Sequence, residues 1–173
     1  MNPPFGFLSR QATIAPPAGI AIMKRMKVAI ASPQETVPID RGRMREVARA
    51  VLEGEGVKDA EVSLAFVDNV TIHRLNKQYL DHDEPTDILT FPLSEPNAKR
   101  LAGELVIGAE VARDAAESRG HDVQVELALY VIHGILHLCG FDDKSPHDAK
   151  EMRARERHYL HALNLTDIAD SDA

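Results

Sequence analysis

The chain of 173 residues has one cysteine, Cys139, and no tryptophan. A single cysteine excludes an intrachain disulfide and fits a reducing, cytoplasmic setting. Aromatic residues make up only 5%, so a core must be packed by Leu, Ile, Val and Ala, for which the 44% hydrophobic content is ample. No apolar run reaches the roughly 18 residues of a membrane span, and no membrane partner is expected. Positive charge is scarce as well. Twenty Lys and Arg stand against 27 Asp and Glu, a formal net charge of -7. Phosphate contacts need Lys and Arg, so any nucleic-acid role requires a local basic patch or a metal ion that supplies the charge.

Residues 1–25 are broken by Pro and Gly, and "PPAGIAIM" is too short and too late for a signal segment. They read as a flexible extension, with Met26 a candidate true start. The length suits one domain, expected over residues 26–165, with 166–173 a flexible tail.

Within that span the patterns alternate. "KVAIAS" is β-like. "DRGRMREVARAVLEGEG" places Met44, Val47, Ala48, Val51 and Leu52 at helical spacing behind an Asp40 N-cap. "AEVSLAFVD" alternates as a half-buried strand does. "NVTIHRLNKQYLDHD" predicts a helix capped near Asp68 or Asn69, with Ile72, Leu75 and Tyr79 inward. "EPTDILTFPL" is a turn into a strand, "GELVIGAE" another strand, and "GAEVARDAAESRG" a helix closed by Gly120. "VQVELALYVIHGILHLCG" is apolar almost all round, so its helix is central and buried. "PHDAKEMRARERHYLHAL" has one strongly charged face, and Arg153, Arg155 and Arg157 alternate there with Glu151 and Glu156 as on a solvated surface. The order β-α-β-α-β-β-α-α-α predicts a single α+β domain: one mixed sheet of about four strands packed by about five helices.

Chemistry concentrates in "HGILHLCGFDD", residues 133–143. His133 and His137 lie four apart on a helix, where their side chains share a face about 6 Å apart and can chelate one ion. A pair of imidazoles on the most apolar helix needs partners. Gly140 can end the helix in a left-handed cap and turn Asp143 back toward the same ion. This is the H-x-x-x-H-x-x-G-x-x-ligand spacing of metzincin proteases, and it places the metal site at the C-terminal end of the central helix. Those enzymes carry a Glu general base after the first His, where this chain has Gly134. Peptide hydrolysis by that route has lost its base. Cys139 points away from the His face and reads as a small core residue.

These residues resemble the YbeY family of bacterial rRNA maturation factors, metal-dependent single-strand endoribonucleases. The core signature H-G-x-L-H-L-x-G-[FY]-D-H is matched by "HGILHLCGFDD" at every position but the last. A second block of the type Y-R-x-x-D-x-P-T-D-V-L-S-F-P is matched by "YLDHDEPTDILTFP". "GELVIG" and Met152 also fall where the family has counterparts, and the likeness covers nearly all of residues 26–165.

The resemblance implies one Zn(2+) per chain, RNA (rRNA) as substrate in small-subunit 3′ end processing, and the ribosomal small subunit with its assembly factors as partners. The family's third zinc-binding His is Asp143 here, and His147 is the rival third ligand. Carboxylate oxygen binds zinc at nearly the distance of imidazole nitrogen, and a carboxylate lowers the charge of the site by one. The family's phosphate-contacting arginine after the Tyr is Leu80. His82 is then a candidate donor or proton carrier, or a solvated turn residue. Asp87 is a candidate for proton transfer and Thr86 for hydrogen bonding, or both form an Asx or ST turn. The nucleophile is an activated water or the ribose 2′-OH. Candidate RNA contacts are Arg74, Lys77 and Arg113, with Lys99 and Arg100. An alternative function is a ribosome-associated assembly factor with a structural zinc and weak or lost nuclease activity.

Overall fold

A computed structural model describes residues 25–169. Its elements follow the predicted order: β1 (Arg25–Ala31), α1 (Arg41–Gly54), β2 (Asp59–Val67), α2 (Asn69–Leu80), β3 (Ile88–Pro92), β4 (Leu101–Gly108), α3 (Ala109–Arg119), α4 (Val123–Leu138) and α5 (Pro146–Ala162).

Short polar side chains set the helix starts by accepting from backbone N–H groups that would otherwise lack partners. Asp40 accepts from Arg43 N at 2.9 Å, Asp68 from Thr71 N at 2.8 Å, and Asp122 from Gln124 N at 2.7 Å. Ser145 does the same for α5, with Pro146 in the first turn, where its missing N–H costs nothing.

The four strands form one mixed sheet in the order β1-β2-β4-β3. β1 and β4 run parallel to β2, whereas β3 returns antiparallel on β4, pairing Ile88 with Ile107 and Thr90 with Leu105. β3 is thus a sheet edge. Ala60, Val62, Leu64 and Phe66 of β2, with Leu105 and Ile107 of β4, join residues of α1, α4 and α5 in the main core, α5 packing on α4. The opposite face carries a smaller cluster of Val67, Leu89 and Val106 under Ile72 of α2. Ten of the 16 residues of α4 are buried, so it is the central helix that its all-round apolar sequence predicts.

Two expectations change. Tyr79 faces outward at 57% exposure, its ring edge-on to Phe91 at 5.2 Å. It lies in the last turn of α2, past the part of the helix that Ile72 and Leu75 seat on the sheet. The expected tail over 166–173 is packed as far as it is described: Ile168 and Ala169 are each 6% exposed and join the main core. Leu165, Ile168 and Ala169 give the chain enough apolar area to fold back after α5. The extension expected over 1–25 falls outside the described residues except for Arg25, which begins β1.

Candidate metal centre

His133 and His137 occupy successive turns of α4, their rings edge-on with centroids 4.5 Å apart. After Cys139 the chain reverses through Gly140, whose φ of 101° lies where glycine meets no steric penalty. Gly140 N donates to His137 O at 3.0 Å and Phe141 N to Leu136 O at 3.1 Å. These are the paired bonds of a Schellman cap. The reversal carries Asp143 over the helix end. Its carboxylate oxygens lie 3.7 Å from His133 Nε2 and 3.9 Å from His137 Nε2.

The outward nitrogens determine what the inward ones present. His137 Nδ1 lies 3.0 Å from the Phe141 carbonyl, which can only accept, so that nitrogen carries the proton. His133 Nδ1 donates to the Glu156 carboxylate at 2.7 Å. Neutral imidazoles so arranged turn two Nε2 lone pairs toward each other, only 2.9 Å apart. Lone pairs at that separation repel unless a cation or proton lies between them. The His133, His137 and Asp143 ligand atoms all fall within 4.8 Å of one another. Zinc bonds of about 2.0–2.1 Å put tetrahedral ligands about 3.3 Å apart, within the span of the three separations here. The donor set fits one zinc ion, and the Nδ1 partners are the kind that orient metal-binding histidines.

Burial and neighbouring charges act on the pair unequally. Burial disfavours the charged form of His133, but the Glu156 hydrogen bond and charge, with Asp87 and Asp143, more than offset it and raise its pKa. His137 is pushed down, by burial first and then by the His133 charge. Cys139 behaves as the core residue expected: burial lifts its thiol to about 11.

The triad opens onto a cleft between β3 and helices α4 and α5, lined by Ile88, Thr90, Tyr130, Phe141, Met152 and Glu156 among others. The His133 and His137 side chains are 22% and 25% exposed and Asp143 44%, so the site admits a ligand from outside. Gly134 explains how α4 comes so near the sheet. A Cβ there would stand 2.5 Å from Ile88 Cδ1 and 2.8 Å from Leu105 Cδ1. The residue that removes the protease base is also the one that lets the helix seat.

The remaining sequence candidates divide. Asp87 lines the cleft, but its Oδ1 accepts from Thr86 Oγ1 at 3.0 Å and from Ile88 N at 2.8 Å, a local turn at the start of β3. Thr86 and His82 are outside the cleft lining, and His82 is exposed. His147 is 87% exposed beside Asp148 and stands apart from the triad. Arg74, Lys77, Lys99, Arg100 and Arg113 do not line the cleft either. Lys77 binds Asp83, Arg100 binds Glu61, and Arg113 binds Asp114, since each has a carboxylate nearby on its own part of the surface. The cleft's cations are Arg119, Lys144 and Arg153. The solvated face expected of α5 is corrected in part, since Arg153 and the buried Glu156 line the cleft; Arg119, Lys144 and the fully buried Glu126, whose carboxylate is held by Arg119 and His121, were not singled out from sequence. Only the capping-type spacing around Gly140 was available as a local signal; Arg119 comes from α3 and Arg153 and Glu156 from α5, while Glu126 sits two turns before His133 on α4 itself.

The profile of the family described as "Endoribonuclease YbeY" matches residues 29–164. A relative from Pelotomaculum thermopropionicum, named Endoribonuclease YbeY, is 39% identical over 151 residues, spanning 82% of this chain and 99% of its own. One of the same name from Anaeromyxobacter dehalogenans is 41% identical over 128 residues, spanning 73% of this chain and 66% of its own. The solution structure of TM1509 from Thermotoga maritima is similar at 28% identity with a TM-score of 0.56, covering 79% of this chain and 88% of that one.

Proposed function

The chain belongs to the YbeY family of endoribonucleases, and on that premise we propose that His133, His137 and Asp143 hold one zinc ion with which it cleaves single-stranded RNA. Membership and the His/His/Asp cluster together make it a metal-dependent endoribonuclease. The finer assignment, rRNA maturation at the small-subunit 3′ end in the cytoplasm with the ribosomal small subunit and assembly factors as partners, is part of this proposal. One observation carries it: two Nε2 lone pairs and a carboxylate converge at the wall of an open cleft.

Bound there, zinc supplies Lewis acidity toward a phosphoryl oxygen and acidifies water near neutral pH. The protein's part is placement. Glu156 and the Phe141 carbonyl hold the two Nδ1 atoms, so both rings already turn Nε2 toward the ion's place and neither needs to reorient when it enters. Asp143 closes the set with a carboxylate that is itself half-exposed and reaches the cleft. Asp87 adds negative charge near His133 and shapes the entry of β3. His133, His137 and Asp143 would hold the ion with three protein groups, the number typical of catalytic zinc sites, whereas structural zinc is usually closed by four. That favours the enzyme over an assembly factor with a structural zinc.

The test is cleavage of a single-stranded oligoribonucleotide by zinc-replete protein, with the His137→Ala variant as control. Wild type is expected to cut and the variant to lose activity with its metal. Equal cleavage by both would overturn the proposal.

A further inference from the structure

The cleft is acidic on balance. Asp87, Glu126, Asp142, Asp143 and Glu156 line it against Arg119, Lys144 and Arg153. The β3 part of the lining, Ile88–Pro92, and Leu80 carry no charge. An RNA strand brings one negative charge per phosphate into this space, so docking depends on which cations remain available. Two are committed. Arg119 Nη1 binds buried Glu126 at 3.1 Å, and Lys144 Nζ lies 3.4 Å from Asp142.

Arg153 differs from both. It is exposed, and among the described residues it makes no hydrogen bond or ion pair. The other arginines of its helix are engaged elsewhere: Arg155 with Glu55 at 3.0 Å and across the Phe141 ring at 5.5 Å, Arg157 with Asp167 at 3.0 Å. Arg153 stands three residues before Glu156, on the same stripe of α5. Glu156 is the carboxylate that holds His133, and both residues line the cleft. The adjacent Met152, 1% exposed, anchors this turn of α5 in the core. The cation is therefore carried on a fixed helix one turn from the group that orients a metal ligand.

We infer that Arg153 binds a phosphate of the RNA strand in the cleft and so sets the strand's position relative to the triad. A guanidinium offers two parallel N–H donors to two phosphate oxygens, a fork that an ammonium cannot reproduce. With no carboxylate partner among the described residues to give up, Arg153 meets the phosphate without first breaking an ion pair there. This rests on the endoribonuclease reading and adds to it the residue that takes the substrate's charge.

The experiment is single-turnover cleavage of a labelled single-stranded oligoribonucleotide by the zinc-loaded full chain, with enzyme concentration varied at several salt concentrations. Wild type, Arg153→Ala and Arg153→Lys are compared. Arg153→Ala should raise the half-saturating concentration about five- to tenfold and leave zinc content and melting temperature unchanged. The log–log dependence of binding on salt should fall by about 0.7, the share of one single-strand phosphate. Arg153→Lys should restore the salt dependence and only part of the affinity. If Arg153→Ala cleaves with unchanged half-saturation and salt dependence, the inference fails while the nuclease reading stands. If Arg153→Ala loses zinc or melts earlier, the residue belongs to the scaffold and the inference also fails. A wild-type chain that neither binds nor cuts the RNA would overturn both readings.

Discussion

Gly134 follows His133 at the point where α4 meets the sheet, and its missing side chain does two things. It puts no carboxylate at the position after His133, and it lets Ile88 and Leu105 fill the space a Cβ would need. Gly134→Ala should therefore destabilise the fold by about 1–3 kcal/mol, the usual cost of overpacking. It should also weaken zinc binding, because any shift of α4 moves His133. Urea denaturation and zinc titration of the variant measure both; wild-type values for both would show that the helix has room the structure denies it. At this scale the sequence was informative where spacing along one element decides geometry. His133, His137 and Asp143 meet because helical period and a glycine cap bring them together, and both are visible in eleven consecutive residues. Glu156 was not legible. It lies 23 residues from His133, and only the packing of α5 on α4 makes the carboxylate a partner.

At the scale of elements, α5 shows why charge patterning misleads. Arg153, Arg155 and Arg157 alternate with glutamates as on a solvated helix, yet packing gives them three different fates. Arg155 closes onto Glu55 at the end of α1, Arg157 onto Asp167 beyond its own helix, and Arg153 faces the cleft. Which neighbour each meets depends on the crossing of α5 with α4, which local sequence does not encode. Glu156 makes α5 a working part of the metal centre. Glu156→Ala should lower zinc affinity about 10- to 100-fold, the usual effect of removing the partner that orients a metal-binding histidine. Glu156→Gln, which keeps an acceptor oxygen for His133 Nδ1, should lose less. Competition titration with a zinc chelator resolves the difference, and an undiminished affinity in Glu156→Ala would remove α5 from the account.

For the whole molecule, the strand and helix order was readable because each element carries its own period and caps. The α+β arrangement follows from it, with α4 buried because it is apolar on every side. Chain direction in the sheet is consistent too: a short link between β3 and β4 allows an antiparallel pair, while helices join the parallel strands. The C-terminal segment was not readable. "TDIAD" has no period and one large apolar residue, yet Ile168 packs into the core after α5 ends. Ile168→Ala should cost about 2 kcal/mol, at the low end for a buried isoleucine. An unchanged urea midpoint would return these residues to the surface.

The net charge of -7 makes the metal site central to any RNA function, because the chain as a whole repels phosphate. The account therefore rests on three ligands in one place, and the most direct measurement is zinc content and single-stranded RNA cleavage of Asp143→Asn and His147→Ala, each incubated with zinc beside wild type. Asp143 lies 3.7 and 3.9 Å from the two imidazole nitrogens, whereas His147 stands exposed beside Asp148. Asp143→Asn should lose zinc and cleavage together, since a neutral amide is a poor substitute for a carboxylate ligand, and His147→Ala should cut at the wild-type rate. Cleavage that survives in Asp143→Asn and disappears in His147→Ala would contradict the site.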